Sequence, residues 1–229
     1  MKKKPALIII FGIDGCGKTT QGKLLQELLE KDGYSVGYAW SRRELFLLKP
    51  FVTFVKRFIL REKDRIEGEK HDEITQGRHS FFSHLLIQKA WFWVSLIEYR
   101  VLLAWRVFRP NKRKDVLVCD RYLPDAIVDI AVNYNCDAEG FQKLLRHPLL
   151  RCFPRSTLSF FIDIPGELGA ARKSDGTSVD YLRKRVKFYQ SAAREVDAVS
   201  IDGTKTAEII AKEIQKITIR KLHERVQLR

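Results

Sequence analysis

The sequence predicts an α/β fold in three layers, in which a five-stranded parallel sheet is covered by helices on both faces. Two observations lead to this prediction. Short apolar runs alternate with segments of helical periodicity along all 229 residues, and the connections between runs are long enough to return the chain parallel. The first run, Ala6–Phe11, is continuously apolar, as a strand covered on both faces should be. No Pro/Gly/Ser-rich linker interrupts the chain, so residues 1–229 are expected to form one domain.

Five strands and six helices are expected along the chain. The strands are expected at 6–11, 36–40, 116–119, 158–162 and 196–201. The helices are expected at 18–31, 45–60, 79–108, 138–145, 179–193 and 206–222. Ligands of such sheets bind beyond the carboxyl ends of the strands, so the loops that follow strands are the places to look for a site.

The composition favours anionic partners. Lys and Arg number 42 against 28 Asp and Glu, which gives a net charge of +14. No nucleic-acid-binding motif accompanies this charge, and nucleic acid is not expected as a partner. Part of the excess lies at Arg109 and at Lys112 to Lys114, a cluster that is also compatible with a solvated loop.

The cysteines, the amino terminus and the apolar stretches argue against a secreted protein and against a membrane protein. The four cysteines lack disulfide or metal-ligand spacing, and the amino terminus lacks a signal-peptide cleavage site, so a cytoplasmic protein is expected. Residues 81–108 have the length of a membrane span but contain several charges that a hydrocarbon core would penalise. A long helix buried in protein is expected there, and no membrane partner.

The strongest motif directly follows the first strand. Residues 12–19 satisfy Gly-x-x-x-x-Gly-Lys-[Ser/Thr] and lie between an apolar strand and an amphipathic helix. Such glycines allow backbone N–H groups to converge on phosphate, and the helix adds its dipole. Lys18 is expected to bridge the β- and γ-phosphates and Thr19 to bind Mg²⁺. The residues expected to contact ATP are Gly12, Ile13, Asp14, Gly15, Cys16, Gly17, Lys18, Thr19 and Thr20. A glycine-rich turn with a solvated lysine is the alternative.

Asp14 is an unusual residue for this loop. A carboxylate is unfavourable beside bound phosphate unless it faces a cation, a hydroxyl or water. Asp14 is therefore expected to face the second substrate or the metal.

Four segments resemble thymidylate kinases. They are the phosphate loop at 11–21, Val-Leu-Val-Cys-Asp-Arg-Tyr at 116–122, Ser-Phe-Phe-Ile-Asp-Ile-Pro at 159–165, and the helical pattern from Tyr181 to Tyr189. The resemblance implies a P-loop kinase fold and transfer of the γ-phosphoryl group of ATP, with Mg²⁺, to a nucleoside monophosphate. The acceptor implied by the family is dTMP, which becomes dTDP.

The resemblance also implies roles for residues on two elements. Asp120 would hold Mg²⁺ and Arg121 would bind the acceptor phosphate; the alternative is a structural ion pair at a strand end. Arg100 would also bind the acceptor phosphate, because Trp93, Leu96 and Ile97 place it on an apolar helical stripe where it needs an anionic partner. A buried salt bridge is the alternative for Arg100.

Two further arginines complete the expected site. Arg43 resembles the family's arginine after the second strand. Residues 166–179 are polar and glycine-punctuated, as a lid should be, and Arg172 is expected to act there on the transferring phosphoryl group. A solvated turn is the alternative for this segment.

The acceptor side departs from the family pattern. Leu96 stands where the family has an aromatic ring that stacks on thymine. A P-loop kinase of another small acceptor, such as a nucleoside or sugar phosphate, therefore stays open, as does a non-kinase P-loop ATPase with a basic binding surface. The sequence does not fix the oligomeric state, and a homodimer is one option.

Overall fold

The centre of the molecule is a sheet in which every pair of neighbouring strands is parallel, in the order β2-β3-β1-β4-β5. This computed structural model describes residues 4–42, 85–173 and 176–227. The strands are β1 Ala6–Phe11, β2 Val36–Trp40, β3 Val116–Asp120, β4 Leu158–Asp163 and β5 Val199–Asp202. With helices packed on it, this sheet confirms the predicted fold class.

Seven helices are followed through the described residues. They are α1 Lys18–Lys31, α2 Leu85–Leu102, α3 Leu123–Asn133, α4 Ala138–Leu145, α5 Gly166–Ala171, α6 Val179–Glu195 and α7 Ala207–Gln227. A π-helical segment, Leu103–Phe108, and a short helix, Arg109–Asn111, extend α2, while Pro148–Cys152 form a 3₁₀ turn. None of these helices combines the length and the apolarity that crossing a membrane would require.

The position of β1 at the centre of the sheet determines where the phosphate loop lies. Every residue of β1 and β3 is buried, because helices cover both faces of the sheet. β1 is flanked by β3 and β4, with Ile10 opposite Asp120 and Phe11 opposite Phe161. The loop after β1 is therefore surrounded by the carboxyl ends of its two neighbours.

Helix α3 was not expected from the sequence. It begins at Leu123, Pro124 occupies its first turn, and eight of its eleven residues are buried. The local helix signal is weak, because a proline lies in the first turn and four of the eleven residues are β-branched. The backbone N–H of Tyr122 donates to Asp125 Oδ2 at 3.1 Å, which caps the start of the helix.

Other differences concern the ends of elements. Strand β5 begins at Val199 rather than at 196, because α6 continues to Glu195 and Asp197 then adopts a left-handed conformation with φ 49°. The segment expected as an irregular lid begins with helix α5. The helix expected at 45–60, residues 79–84 of the expected long helix, and Arg43 lie outside the described residues.

Helix α2 and its extension are buried on one face only. Phe92, Leu96, Tyr99, Leu103 and Val107 are buried. The opposite face exposes large apolar side chains, namely Trp93, Val94, Ile97, Val101 and Trp105. The expectation of a helix enclosed by protein is therefore wrong for that second face.

Candidate active site at the phosphate loop

The phosphate loop turns sharply between β1 and α1 and contacts helix α5. Gly15 has φ 84°, and a Cβ at this position would lie 2.5 Å from the carbonyl oxygen of Gly169. Only glycine allows both the left-handed conformation and this close approach. A Cβ on Gly169 would in turn lie 2.8 Å from Ile13 Cδ1. The first helix of the expected lid therefore packs directly against the loop.

Lys18 lies inside the curve of the loop. Its side chain is 4% exposed, and Nζ donates to the carbonyl oxygens of Gly12 at 2.8 Å and Ile13 at 2.7 Å. Cys16, whose thiol pKa burial raises, lies 3.7 Å from the same nitrogen. The first-turn N–H groups of α1 have no partner within the helix. The ammonium and the first amides of α1 therefore lie together at the loop, as phosphate binding requires.

Thr19 and Asp120 meet at the point where α1 begins and β3 ends. Thr19 Oγ1 donates to Asp120 Oδ2 at 2.5 Å. Asp120 is fully buried, and its other oxygen, Oδ1, has no hydrogen-bond partner among the described residues. A buried carboxylate oxygen without a partner is costly unless a cation or water satisfies it. A hydroxyl and one carboxylate, completed by phosphates and water, are the donors that Mg²⁺ accepts, so these residues fit the metal.

Tyr38 also contacts Asp120. Its hydroxyl donates to Asp120 Oδ2 at 3.0 Å from strand β2. Burial and the neighbouring Asp120 carboxylate raise the pKa of Tyr38, so its hydroxyl stays a donor at neutral pH. A Cβ on Gly22 would come within 2.9 Å of the Tyr38 ring, so glycine at this position of α1 makes room for the tyrosine. Sequence reasoning did not find Tyr38.

Arg121 extends to the other side of the loop. Its backbone is left-handed, with φ 71°, and its Nη2 donates to Asp14 Oδ1 at 2.5 Å. Nη1 is buried, lies 3.8 Å from Asp125 Oδ1 and has no hydrogen-bond partner within the described residues. Ser41 donates its hydroxyl to the Arg121 carbonyl oxygen. The guanidinium is thus fixed beside the loop, between the carboxylates of Asp14 and Asp125.

Asp14 faces cations rather than the space for phosphate. Arg121 contacts its carboxylate, Lys18 Nζ lies at 3.9 Å and Lys173 Nζ at 3.7 Å. Burial alone would raise the pKa of Asp14, but Lys18 and Arg121 outweigh burial and hold it well below its ordinary value. Asp14 therefore stays ionised and reduces the repulsion among the three cations.

A buried polar network lies behind Arg121. Asp125 Oδ1 accepts the Tyr189 hydroxyl at 2.9 Å, and Arg185 Nη2 contacts the same hydroxyl at 3.3 Å. Arg185 also pairs with Asp129 at 2.5 Å. Burial raises the pKa of Asp125 from its ordinary value of 3.8 to about 6. The network joins α3 to α6 and contacts Arg121 through Asp125.

The sequence contained a signal for this network. Asp125 and Asp129 follow Arg121 at intervals of four residues, and Arg185 and Tyr189 are also four apart. Such intervals place polar side chains on one face of each helix. That the two faces would meet was not evident, because it depends on how α3 and α6 pack.

The two cations at the end of α5 are placed differently. Arg172 is exposed and donates to the carbonyl oxygen of Gly203 at 3.3 Å. Lys173 is partly buried and reaches Asp14 in the phosphate loop. The structure therefore brings the lysine, rather than the arginine predicted to act, to the loop.

Arg100 does not lie on a buried stripe, as had been expected. It is exposed, as are Trp93 and Ile97, and it donates to the carbonyl oxygen of Cys152. The face that is buried carries Leu96 instead. Arg100 is nevertheless close enough to Tyr122 to lower the pKa of that hydroxyl, against the stronger effect of burial, which raises it. The end of β3 is therefore within its electrostatic reach.

The remaining expected residues divide between the loop and other places. Thr20 is exposed in the first turn of α1, and Ile13 is buried beneath the loop. Leu96 is 1% exposed and belongs to the core, so its side chain offers a ligand little surface. Of the predicted arginines, Arg121 lies at the loop, while Arg100 and Arg172 contact carbonyl oxygens elsewhere.

Comparisons with known proteins extend beyond the motifs. No protein-family model matches the chain. The thymidylate kinase of Trichodesmium erythraeum is 27% identical over 231 residues, which cover 95% of this chain and 96% of that protein. Probable thymidylate kinases of Methanosphaera stadtmanae and Archaeoglobus fulgidus are each 25% identical, over 94% and 92% of this chain and 98% and 93% of their own lengths. The similarity therefore runs through nearly the whole fold.

Proposed function

We propose that this chain, a distant relative of the thymidylate kinases and a phosphotransferase of their kind, transfers the γ-phosphoryl group of ATP to a nucleoside monophosphate. The proposed acceptor is dTMP and the product dTDP. In this reaction an oxygen of the acceptor phosphate attacks the γ-phosphorus, and the bond from the γ-phosphorus to the β–γ bridging oxygen breaks to release ADP.

One observation carries the proposal. Asp120 and Arg121 are consecutive, yet their side chains reach two different parts of the phosphate loop, Thr19 and Asp14. The left-handed backbone of Arg121 separates their directions. A carboxylate on the donor side and a guanidinium opposite it suit two phosphorylated substrates held face to face.

The chain's own residues contribute mainly position and positive charge. Lys18 and the first amides of α1 would bind the β- and γ-phosphates, and Arg121 would bind the acceptor phosphate. Mg²⁺, which Thr19 and Asp120 would hold, supplies further neutralisation of the donor phosphates. No strong base is needed, because the attacking phosphate oxygen is already ionised near neutral pH.

The expected lid, residues 166–179, would exclude water from the reacting phosphates. Helix α5 already contacts Gly15, and Lys173 at its end lies 3.7 Å from Asp14. We infer that Lys173 exchanges Asp14 for the transferring phosphoryl group when both substrates are bound. Arg172, which donates to the carbonyl oxygen of Gly203, is the alternative lid cation.

A second acceptor class is favoured by one observation. Position 96, where the resemblance implies an aromatic ring, holds a leucine that is buried in the core. A thymine base would find no aromatic side chain at position 96 on which to stack. A kinase of another small phosphorylated acceptor is therefore the second candidate. Both candidates use the same donor site.

An acceptor screen tests the proposal. ADP formation from ATP would be measured with dTMP, other nucleoside monophosphates, nucleosides and sugar phosphates. We expect dTMP to give the highest kcat/KM. Turnover confined to sugar phosphates would favour the second candidate, and ATP hydrolysis that no acceptor stimulates would refute both.

A variant pair tests the assignment of Arg121. Arg121→Lys keeps a charge but loses the planar pair of donors, so KM for the acceptor should rise about 10- to 100-fold while KM for ATP changes little. The matched control is Arg194→Lys, at an exposed arginine on α6. Equal weakening of both substrates by Arg121→Lys would contradict the assignment.

A further inference from the structure

A cavity of about 460 Å³ lies at the opposite end of the sheet from the phosphate loop. Its floor contains Ala6 and Val116, the first residues of β1 and β3, together with Leu222 of α7. Because β1 has six residues, at roughly 3.3 Å each, the cavity is about 20 Å from the loop. It is therefore separate from the candidate active site.

The rim of this cavity is strongly basic. Five cationic side chains line it, those of Lys4, Lys112, Arg113, Lys114 and Arg225. Among the described lining residues Asp115 is the single acidic one, and it accepts a hydrogen bond from the backbone N–H of Ser35 at 2.9 Å. The positive charge at the rim is thus in large excess over the negative charge.

Most of these cations have no partner within the described part of the chain. Arg225 donates to the carbonyl oxygen of Lys4 at 3.2 Å. The side chains of Lys4, Lys112, Arg113 and Lys114, by contrast, form no hydrogen bond or ion pair with a described residue. Like charges around a concave surface repel one another and raise the local concentration of anions. An anion held there would relieve that repulsion.

We propose that this cavity binds a nucleotide, with its phosphates at the turn formed by Lys112, Arg113 and Lys114 and its base against Tyr34. The volume lies within the range of small-molecule pockets, about 300–1,000 Å³, and an inorganic phosphate would fill only a small part of it. Tyr34 is the aromatic residue of the lining, and the floor is apolar. The combination of apolar floor, aromatic wall and cationic rim matches a phosphate ester with an organic part. The site does not depend on the acceptor used at the phosphate loop.

Hydrogen–deuterium exchange of the whole protein with ADP tests this proposal. ADP should slow exchange of backbone amides at 111–116 and, independently, at the phosphate loop. Lys112→Glu combined with Lys114→Glu should raise about tenfold the ADP concentration needed for half-maximal protection of 111–116. Protection of the phosphate loop and turnover should stay unchanged. Neither lysine is buried, so this double variant is expected to fold.

The control is Lys187→Glu combined with Lys212→Glu, two exposed lysines outside the cavity with the same change in net charge. It should retain both effects of ADP. Unchanged exchange at 111–116 in the wild type, or equal loss in the control, would overturn the proposal. Pyrophosphate should protect 111–116 less than ADP does. Equal protection by pyrophosphate and ADP would show that the site recognises charge alone, and this result would refute a nucleotide site.

Discussion

Replacement of Lys18 by methionine tests the candidate donor site most directly. Methionine keeps much of the length and apolar volume of the side chain but removes the ammonium. In the free protein that ammonium donates to the carbonyl oxygens of Gly12 and Ile13 and lies 3.9 Å from Asp14. The substitution therefore leaves two carbonyl oxygens and one carboxylate with fewer partners.

The expected magnitudes follow from these contacts. Loss of partners for buried acceptors should cost about 1–3 kcal/mol of unfolding free energy. In the complex, a charge-assisted bond to phosphate contributes about 1.5–3 kcal/mol, so ATP should bind about 10- to 100-fold more weakly. Removing a fixed donor from developing charge lowers kcat by about 10²- to 10³-fold. The combined loss in kcat/KM should exceed about 10³-fold.

The assay is single-turnover phosphoryl transfer, with thermal unfolding measured in parallel. Lys23→Met is the matched control, because Lys23 is an exposed lysine on the same helix. It should retain wild-type turnover. A folded Lys18→Met protein that turns over within a few fold of wild type would refute the proposed role of the loop.

Three further predictions concern the metal, the lid and the network behind Arg121. Thr19→Val should raise the Mg²⁺ concentration needed for half-maximal turnover by about tenfold or more, which a Mg²⁺ titration would measure; an unchanged midpoint would argue against a metal ligand. Lys173→Met should lower kcat more than Arg172→Met does, in steady-state assays at saturating substrates, and the reverse order would return the lid role to the arginine. Burial raises the pKa of Asp125 from 3.8 to about 6, so between these pH values the folded protein keeps a proton that the unfolded chain has lost. The contribution of Asp125 to the unfolding free energy therefore falls by on the order of 3 kcal/mol between about pH 4 and 7. Asp125→Asn cannot titrate, so its melting temperature relative to wild type should rise over that interval; a constant difference would contradict the raised pKa.

Local chemistry explains why parts of the fold could be predicted from the sequence. The observed bounds of β1, α1 and β2 are those expected, because a continuous apolar run and a helical stripe are written in consecutive residues. The phosphate-loop motif, likewise, is contained in eight residues. Helix α3 escaped prediction because its proline and its four β-branched residues weaken the local helix signal.

Long-range contacts explain most of what the sequence did not reveal about the site. Tyr38 reaches Asp120 across 82 positions of sequence, and Arg185 reaches Asp129 across 56. The four-residue spacing indicates the helix face on which Arg185 lies, but nothing near Arg185 or Tyr38 indicates which residue it contacts. The prediction for Arg100 is wrong for a different reason. Apolar residues at helical spacing predict the inner face of α2, but Trp93 and Ile97 lie on its outer face.

The close contact of the two glycines at positions 15 and 169 leaves no space for a side chain between the phosphate loop and α5. A methyl group at position 15 would lie 2.5 Å from the carbonyl oxygen of Gly169 and 3.1 Å from its Cα. It would act as a wedge that holds α5 away from the triphosphate. An enzyme with such a wedge would admit solvent to the γ-phosphorus, and it would hydrolyse ATP in the absence of any acceptor.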